Sequence, residues 1–177
     1  MSDLVKNIIR LIVFIVIQVF VLNKIPFLHQ KFVPYLYFLY ILWLPFNTPR
    51  ITLTMMGFFF GLTLDYFTKT PGLHAAPCTL IAYMRPFLVN ILIRQEGAEQ
   101  NYSSPSITSM GLAPYATYVF ILTLIHNGYL VFLEWIEFGS FFYFAGKVLA
   151  STGVSMLLIF VTEILFFRKE KFRTNTA

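Results

Sequence analysis

The chain has 177 residues, of which 58% are hydrophobic and only 12% are charged, and its mean hydropathy is +0.72. Soluble domains are about 45–50% apolar and about 25% charged, so this composition excludes a soluble protein and indicates an integral membrane protein. At roughly 20 residues per span, the length holds about six helices, which predicts a single transmembrane domain over residues 1–177. The net charge of +5 does not indicate nucleic-acid binding, because the basic residues lie at the ends of apolar runs.

In chain order, six apolar runs predict six spans in one all-α bundle. The second run, "FVPYLYFLYILWLPF", is short and contains two prolines, so a re-entrant or tilted segment is the alternative there. The sequences "NTPR" and "TKTPG" predict tight turns on either side of the third run, and a polar loop begins at Arg94 after the fourth. The predicted spans cover, approximately, residues 8–22, 32–46, 51–67, 73–93, 113–133 and 144–167.

Lysine and arginine are unevenly distributed between the two sides of such a bundle. Six spans place both termini on one side. That side carries Lys6, Arg10, Arg50, Arg94, Arg168, Lys169, Lys171 and Arg173, and the other carries Lys24, Lys31, Lys69 and Lys147. The positive-inside rule then predicts that both termini are cytoplasmic. Trp43, Trp135 and many of the 10 tyrosines lie near predicted span ends, where we expect them to anchor the helices at the membrane interface.

Gly57, Gly61 and Asp65 are spaced by four residues, so they share one face of the third helix. Two glycines at this spacing allow a second helix to approach closely, either within the chain or from a partner protein. We expect Asp65, near the end of the helix, to fasten the turn to the fourth span. Its carboxylate has two candidate partners there, which are His74 and the backbone amides at the start of the fourth helix.

Arg85 and Glu163 are the costliest residues in the predicted spans, because charged groups in a membrane need partners or water. Their predicted depths differ by roughly two helical turns or less, so a buried ion pair between them is one interpretation. The other is that each side chain extends separately to the interface. We expect Gln18, Asn90, His126 and Asn127 to form hydrogen bonds between helices rather than to bind a ligand.

The sequence contains no motif that would indicate an enzyme or a metal site. There is no HExxH, no GxSxG and no glycine-rich phosphate loop, and its three histidines lie on separate segments. The single cysteine, Cys78, has no partner with which to form a disulfide or a metal site. We therefore expect neither catalytic activity nor a cofactor.

The segment from Gly57 to Tyr83 resembles the central pattern of the rod shape-determining protein MreD family. That pattern is a glycine-spaced apolar helix ending in aspartate, then a turn with glycine and often histidine, then an apolar helix with an aromatic residue. Here the corresponding residues are Gly57, Gly61, Asp65, Pro71, Gly72, His74 and Tyr83. The size, the hydropathy and the basic tail also fit this family over nearly the whole chain.

The resemblance implies a non-enzymatic, multi-pass protein of the bacterial inner membrane that belongs to the cell-elongation machinery. It implies binding to MreC, with MreB and the peptidoglycan synthases as further partners, and a role in cell shape and lateral peptidoglycan synthesis. Membrane lipid surrounds such a protein. The residues carried over to a partner-binding or helix-packing role are Gly57, Gly61, Asp65, Gly72 and His74.

The same resemblance implies a fold similar to the substrate-binding S components of energy-coupling-factor vitamin transporters. Such a subunit is the alternative function for this chain. It would need a stripe of small residues on its first helix to dock a coupling subunit. The first span, "LIVFIVIQVFVLN", contains neither alanine nor glycine, which counts against that alternative.

Overall fold

The computed structural model describes residues 3–25, 34–93, 104–135 and 140–165. Within these ranges the regular structure is helical and no strand is present. The helices are α1 (Asp3–Val16), α2 (Leu39–Leu42), α3 (Arg50–Thr68), α4 (Ala75–Leu92), α5 (Ile107–Met110), α6 (Leu112–Trp135) and α7 (Phe141–Leu165). A π-helix, Ile17–Val21, and a 3-10 turn, Leu22–Lys24, extend α1.

Five helices in the described part of the chain are long and apolar enough to cross a membrane. They cover Asn7–Lys24, Arg50–Thr68, Ala75–Leu92, Leu112–Glu134 and Phe141–Leu165. The chain is therefore an all-α, multi-pass membrane protein, as its composition predicts.

The predicted second span does not form a spanning helix. Between residues 34 and 45, which we name the core segment, only Leu39–Leu42 is α-helical. Pro34 and Pro45 bound this run, and a proline disfavours helical backbone in the residue before it. Non-helical backbone is tolerated at membrane depth only inside protein or beside water. Accordingly, residues 34–44 are all buried.

Contacts between the elements give their relative directions. Gly57 and Gly61 of α3 face α4, and Tyr115 and Glu163 join the start of α6 to the end of α7. By such contacts α1, α3 and α6 run one way, whereas α4, α7 and the core segment run the other way. The first residues of α1 and the last residues of α7 therefore lie at the same end of the bundle.

Candidate functional site

Asp65 closes the turn between α3 and α4 with four hydrogen bonds of 3.0 Å or less. Its Oδ1 accepts from the backbone N–H of His74 at 2.8 Å and from His74 Nδ1 at 2.9 Å. Its Oδ2 accepts from the backbone N–H groups of Gly72 and Ala75, each at 3.0 Å. This confirms that Asp65 fastens the turn. The carboxylate binds both of its predicted partners, which are His74 and the backbone amides at the start of α4.

The local backbone presents these donors to Asp65. The α3 helix ends at Thr68, and the next residue, Lys69, has a left-handed φ of 59°. Gly72 has a φ of 87°, a conformation that glycine adopts without strain. The first amides of α4 have no acceptor within their own helix, and the helix dipole makes this end positive. Each carboxylate oxygen thus accepts two hydrogen bonds, and His74 Nδ1 is one of the four donors.

The glycine stripe of α3 packs inside the chain, against α4. A Cβ atom on Gly61 would lie 2.5 Å from Ala75 Cα, and one on Gly57 would lie 2.7 Å from Ala82 Cβ. Both distances are far below van der Waals contact, so only glycine permits this approach of the two helices. The stripe therefore takes the packing role, and its glycines do not form an exposed surface.

Arg85 does not pair with Glu163 within the described residues, and it does not extend to the interface. It is 2% exposed, and its Nε donates to Tyr118 Oη at 2.9 Å. Its two terminal nitrogens donate to the carbonyl oxygens of Leu44 and, at 3.5 Å, Pro45. The guanidinium thus donates to backbone acceptors of the core segment. Pro45 O also accepts from Thr48, so the Leu44 carbonyl is the group that depends on Arg85.

Glu163 is also buried, and a tyrosine is one of its partners. Tyr115 Oη donates to Glu163 Oε2 at 2.9 Å and accepts from Trp43 Nε1 at 3.2 Å. The prediction that Trp43 anchors the protein at the interface is wrong, since this side chain is 6% exposed and lies in the core. The side chain of Trp135 lies outside the described residues.

Two further side chains hold the backbone at the start of the core segment. Gln18, in the π-helical turn, donates from Nε2 to Pro34 O at 3.1 Å and accepts at Oε1 from Leu36 N at 3.0 Å. Ser155 of α7 accepts from Tyr35 N at 3.0 Å. Side chains from α1 with its π-helical extension, α4, α6 and α7 therefore hold the core segment. They bond to backbone groups that, in a regular span, would bond within the helix.

His126 lies at the centre of α6 and bonds to the core segment, as expected for a helix-packing role. Its Nε2 is 2.8 Å from Tyr37 Oη, and its Nδ1 is 3.0 Å from Asn127 Oδ1. Asn127 in turn donates to Thr152 Oγ1 of α7 at 3.3 Å. The expectation for Asn90 is not met, because Asn90 is exposed and its side chain has no hydrogen bond to another helix in the described part of the chain.

Three tyrosines lie in the interior, where the sequence did not place them. Tyr37, Tyr115 and Tyr118 are buried, and each has a hydroxyl that bonds inside the bundle. One signal was present: Tyr115 and Tyr118 are three residues apart in an apolar run, so they share one face of α6. Without the path of the core segment, that face could not be assigned to the interior.

The described residues contain no group of His, Cys, Asp and Glu that could hold a metal ion. A groove of about 280 Å³ lies between α1 and α3, and its lining is apolar. It is lined by Leu11, Thr52, Met55, Met56, Phe59, Phe60 and Thr63. Comparison of the chain with family models, with curated proteins and with solved structures finds no match.

Proposed function

We propose that this chain is a non-enzymatic component of the bacterial cell-elongation machinery, with a role like that of MreD. In this proposal it lies in the inner membrane with both termini cytoplasmic. There it binds MreC and helps to organise lateral peptidoglycan synthesis. MreB and the peptidoglycan synthases are further proposed partners.

The observation that carries the proposal is the α3–α4 hairpin. Most of the residues that resemble the MreD pattern act together there. Gly57 and Gly61 allow the helices to touch, and Asp65 binds the amides of Gly72 and His74 at their junction. A pattern whose members build one hairpin is a stronger basis for comparison than scattered matches.

The proposal also includes a position for MreC on this hairpin. The two glycines face α4, so they support the hairpin and cannot themselves contact another protein. The side of α3 away from the glycines carries large exposed apolar side chains, namely Met55, Phe59, Leu62 and Tyr66. We place MreC on this outer face, where a membrane-embedded helix can pack against it.

The proposal includes a six-crossing topology similar to that of the S components. The core segment takes the place of the second crossing, since it runs opposite to α1 and α3. With six crossings the termini share a side, and the basic residues near them favour the cytoplasm.

The test is purification of the tagged protein from native membranes in a mild detergent, with mass spectrometry of proteins and small molecules. The proposal expects MreC and other elongation proteins to co-purify, without a stoichiometric small ligand. Recovery of an ATPase-coupled partner together with a bound vitamin would refute it and identify a transporter S component instead.

A second experiment tests the placement of MreC. Gly61→Leu is unsuitable, because it would separate α3 from α4 and disturb the whole hairpin. The double variant Leu62→Ala/Tyr66→Ala changes exposed side chains of α3 that lie outside the groove with α1, and we expect it to reduce MreC recovery at least fivefold. The matched control, Leu149→Ala/Leu157→Ala, removes similarly exposed side chains from α7 and should leave recovery unchanged. Equal recovery from both double variants would contradict this placement.

A further inference from the structure

Two hydroxyl groups in the middle of the bundle have no hydrogen-bond partner within the described residues. They are Thr123 Oγ1 on α6 and Ser151 Oγ on α7, and both residues are fully buried. Serine and threonine in helices commonly bond to the carbonyl four residues earlier, as Thr117 and Thr162 do here. A buried hydroxyl that lacks even this bond is destabilising unless something else binds it.

Both hydroxyls lie beside the chain of hydrogen bonds that joins the core segment to α7. Thr123 precedes His126 and Asn127 by about one helical turn, and Ser151 is next to Thr152. We name these five residues, with Ser155, the α6–α7 seam. The exposed fraction of every residue in the seam is 3% or less.

The directions of the hydrogen bonds show what the seam lacks. Asn127 Oδ1 can only accept, so His126 Nδ1 is the donor, and Nε2 therefore accepts from Tyr37 Oη. Thr152 Oγ1 accepts from Asn127, and Ser155 Oγ accepts from a backbone N–H of the core segment. The hydroxyls of Thr152 and Ser155 each still have a hydrogen to donate, and no described residue accepts it. The seam therefore needs acceptors rather than donors.

We propose that the α6–α7 seam binds ordered water, with one molecule at Thr123 and another at Ser151. Because the helices are antiparallel and Asn127 meets Thr152, the two hydroxyls lie on opposite sides of that contact. At 1.5 Å per residue they are about 7–8 Å apart along the bundle, which is too far for one water molecule to reach both. Each water accepts hydroxyl hydrogens and donates its own to neighbouring oxygens.

A monovalent cation fits this seam less well than water does. A cation would bind the oxygen lone pairs and leave the surplus hydroxyl hydrogens without acceptors. No residue of the seam is acidic, so the positive charge would be uncompensated. Glu163, the carboxylate on α7, is eight residues from Ser155, or about 12 Å along the helix. The inference does not depend on the proposed function.

The test uses two variants that remove a hydroxyl and preserve shape, Thr123→Val and Ser151→Ala. A hydroxyl with no partner is a penalty, so its removal alone would leave the protein equally stable or more stable. If each hydroxyl binds water, its removal leaves that water molecule, and the other groups bonded to it, with one hydrogen bond fewer. We then expect each variant to lower the midpoint of thermal unfolding in detergent by about 2–4 °C.

The controls separate water binding from general effects of substitution. Thr117→Val removes an exposed hydroxyl that bonds within its own helix and should leave the midpoint unchanged. The effects of the two test variants should add, because the two water molecules are separate. An unchanged or raised midpoint in Thr123→Val and Ser151→Ala would overturn the proposal.

Two further outcomes decide the identity of the ligand. A structure at a resolution that shows water should place one molecule within hydrogen-bond distance of Thr123 Oγ1 and another near Ser151 Oγ, and empty density there would overturn the proposal. Replacing Na⁺ with choline should not change the midpoint of the wild-type protein. A midpoint that falls on this replacement would instead show a cation site.

Discussion

Replacing Asp65 with asparagine tests the turn on which the α3–α4 hairpin depends. The change keeps the size and shape of the side chain but turns one oxygen into an NH₂ group, which donates rather than accepts. If the remaining oxygen stays with His74, the new NH₂ group faces the backbone N–H groups of Gly72 and Ala75. Donors then oppose donors, and two hydrogen bonds are lost.

The magnitude follows from the burial of those donors. Ala75 N is buried, and leaving it unpaired costs about 1–3 kcal/mol, whereas the partly buried Gly72 N costs about 1 kcal/mol. Removing the negative charge from the start of α4 adds about 0.3–1 kcal/mol. Together these give about 3 kcal/mol, which corresponds to a midpoint lower by about 6–12 °C in a chain of this length.

The assay is thermal unfolding of the purified protein in detergent, with Thr63→Val as the control. The Thr63 hydroxyl is exposed and bonds to Phe59 O of its own helix at 2.8 Å, so its loss should change the midpoint by less than 2 °C. An Asp65→Asn midpoint within 2 °C of the wild type would show that the carboxylate is not what holds the turn.

Three further variants test other contacts by the same thermal measurement. Gly61→Ala places a methyl group 2.5 Å from the backbone of α4 and should lower the free energy of unfolding by about 1–3 kcal/mol. In the control, Gly153→Ala, the methyl group has no neighbour within 4 Å and should not lower the midpoint. Equal midpoints for the two variants would contradict the packing argument. Arg85→Met removes the donor to the buried Leu44 carbonyl and should lower the midpoint by at least 4 °C. Tyr115→Phe removes the hydroxyl between Glu163 and the indole of the core segment and should cost about 1–2 kcal/mol, so an unchanged midpoint would refute that role.

The sequence predicted the parts of the structure that depend on local physics. Composition and hydropathy were sufficient for a helical membrane protein, and the spacing of Gly57, Gly61 and Asp65 placed them on one face. The partners of Asp65 were also predictable, because a short turn brings the start of the next helix within reach. Each of these inferences involves residues close together along the chain.

The interior could not be predicted, because it depends on a long-range arrangement. An apolar run of 15 residues predicts a span by hydropathy, but between its prolines the run is mostly irregular, and its backbone needs outside partners. Arg85 and Glu163 suggested an ion pair, since opposite charges at similar depth are the simplest solution in a membrane. They bind instead to a carbonyl-rich segment and to tyrosines, which hydropathy cannot distinguish from interfacial aromatics.

The buried polar residues therefore act as substitutes for helical hydrogen bonds, and this limits where a partner can bind. Gln18, Arg85, Tyr118 and Ser155 each bond to the backbone of the core segment. A ligand that entered the interior would have to displace the segment and leave its carbonyl and amide groups unpaired, at about 1–3 kcal/mol for each group. A protein partner that packs on the outer face of α3 meets no such cost. Under the proposed function, this difference favours an exposed docking surface over an internal substrate pocket.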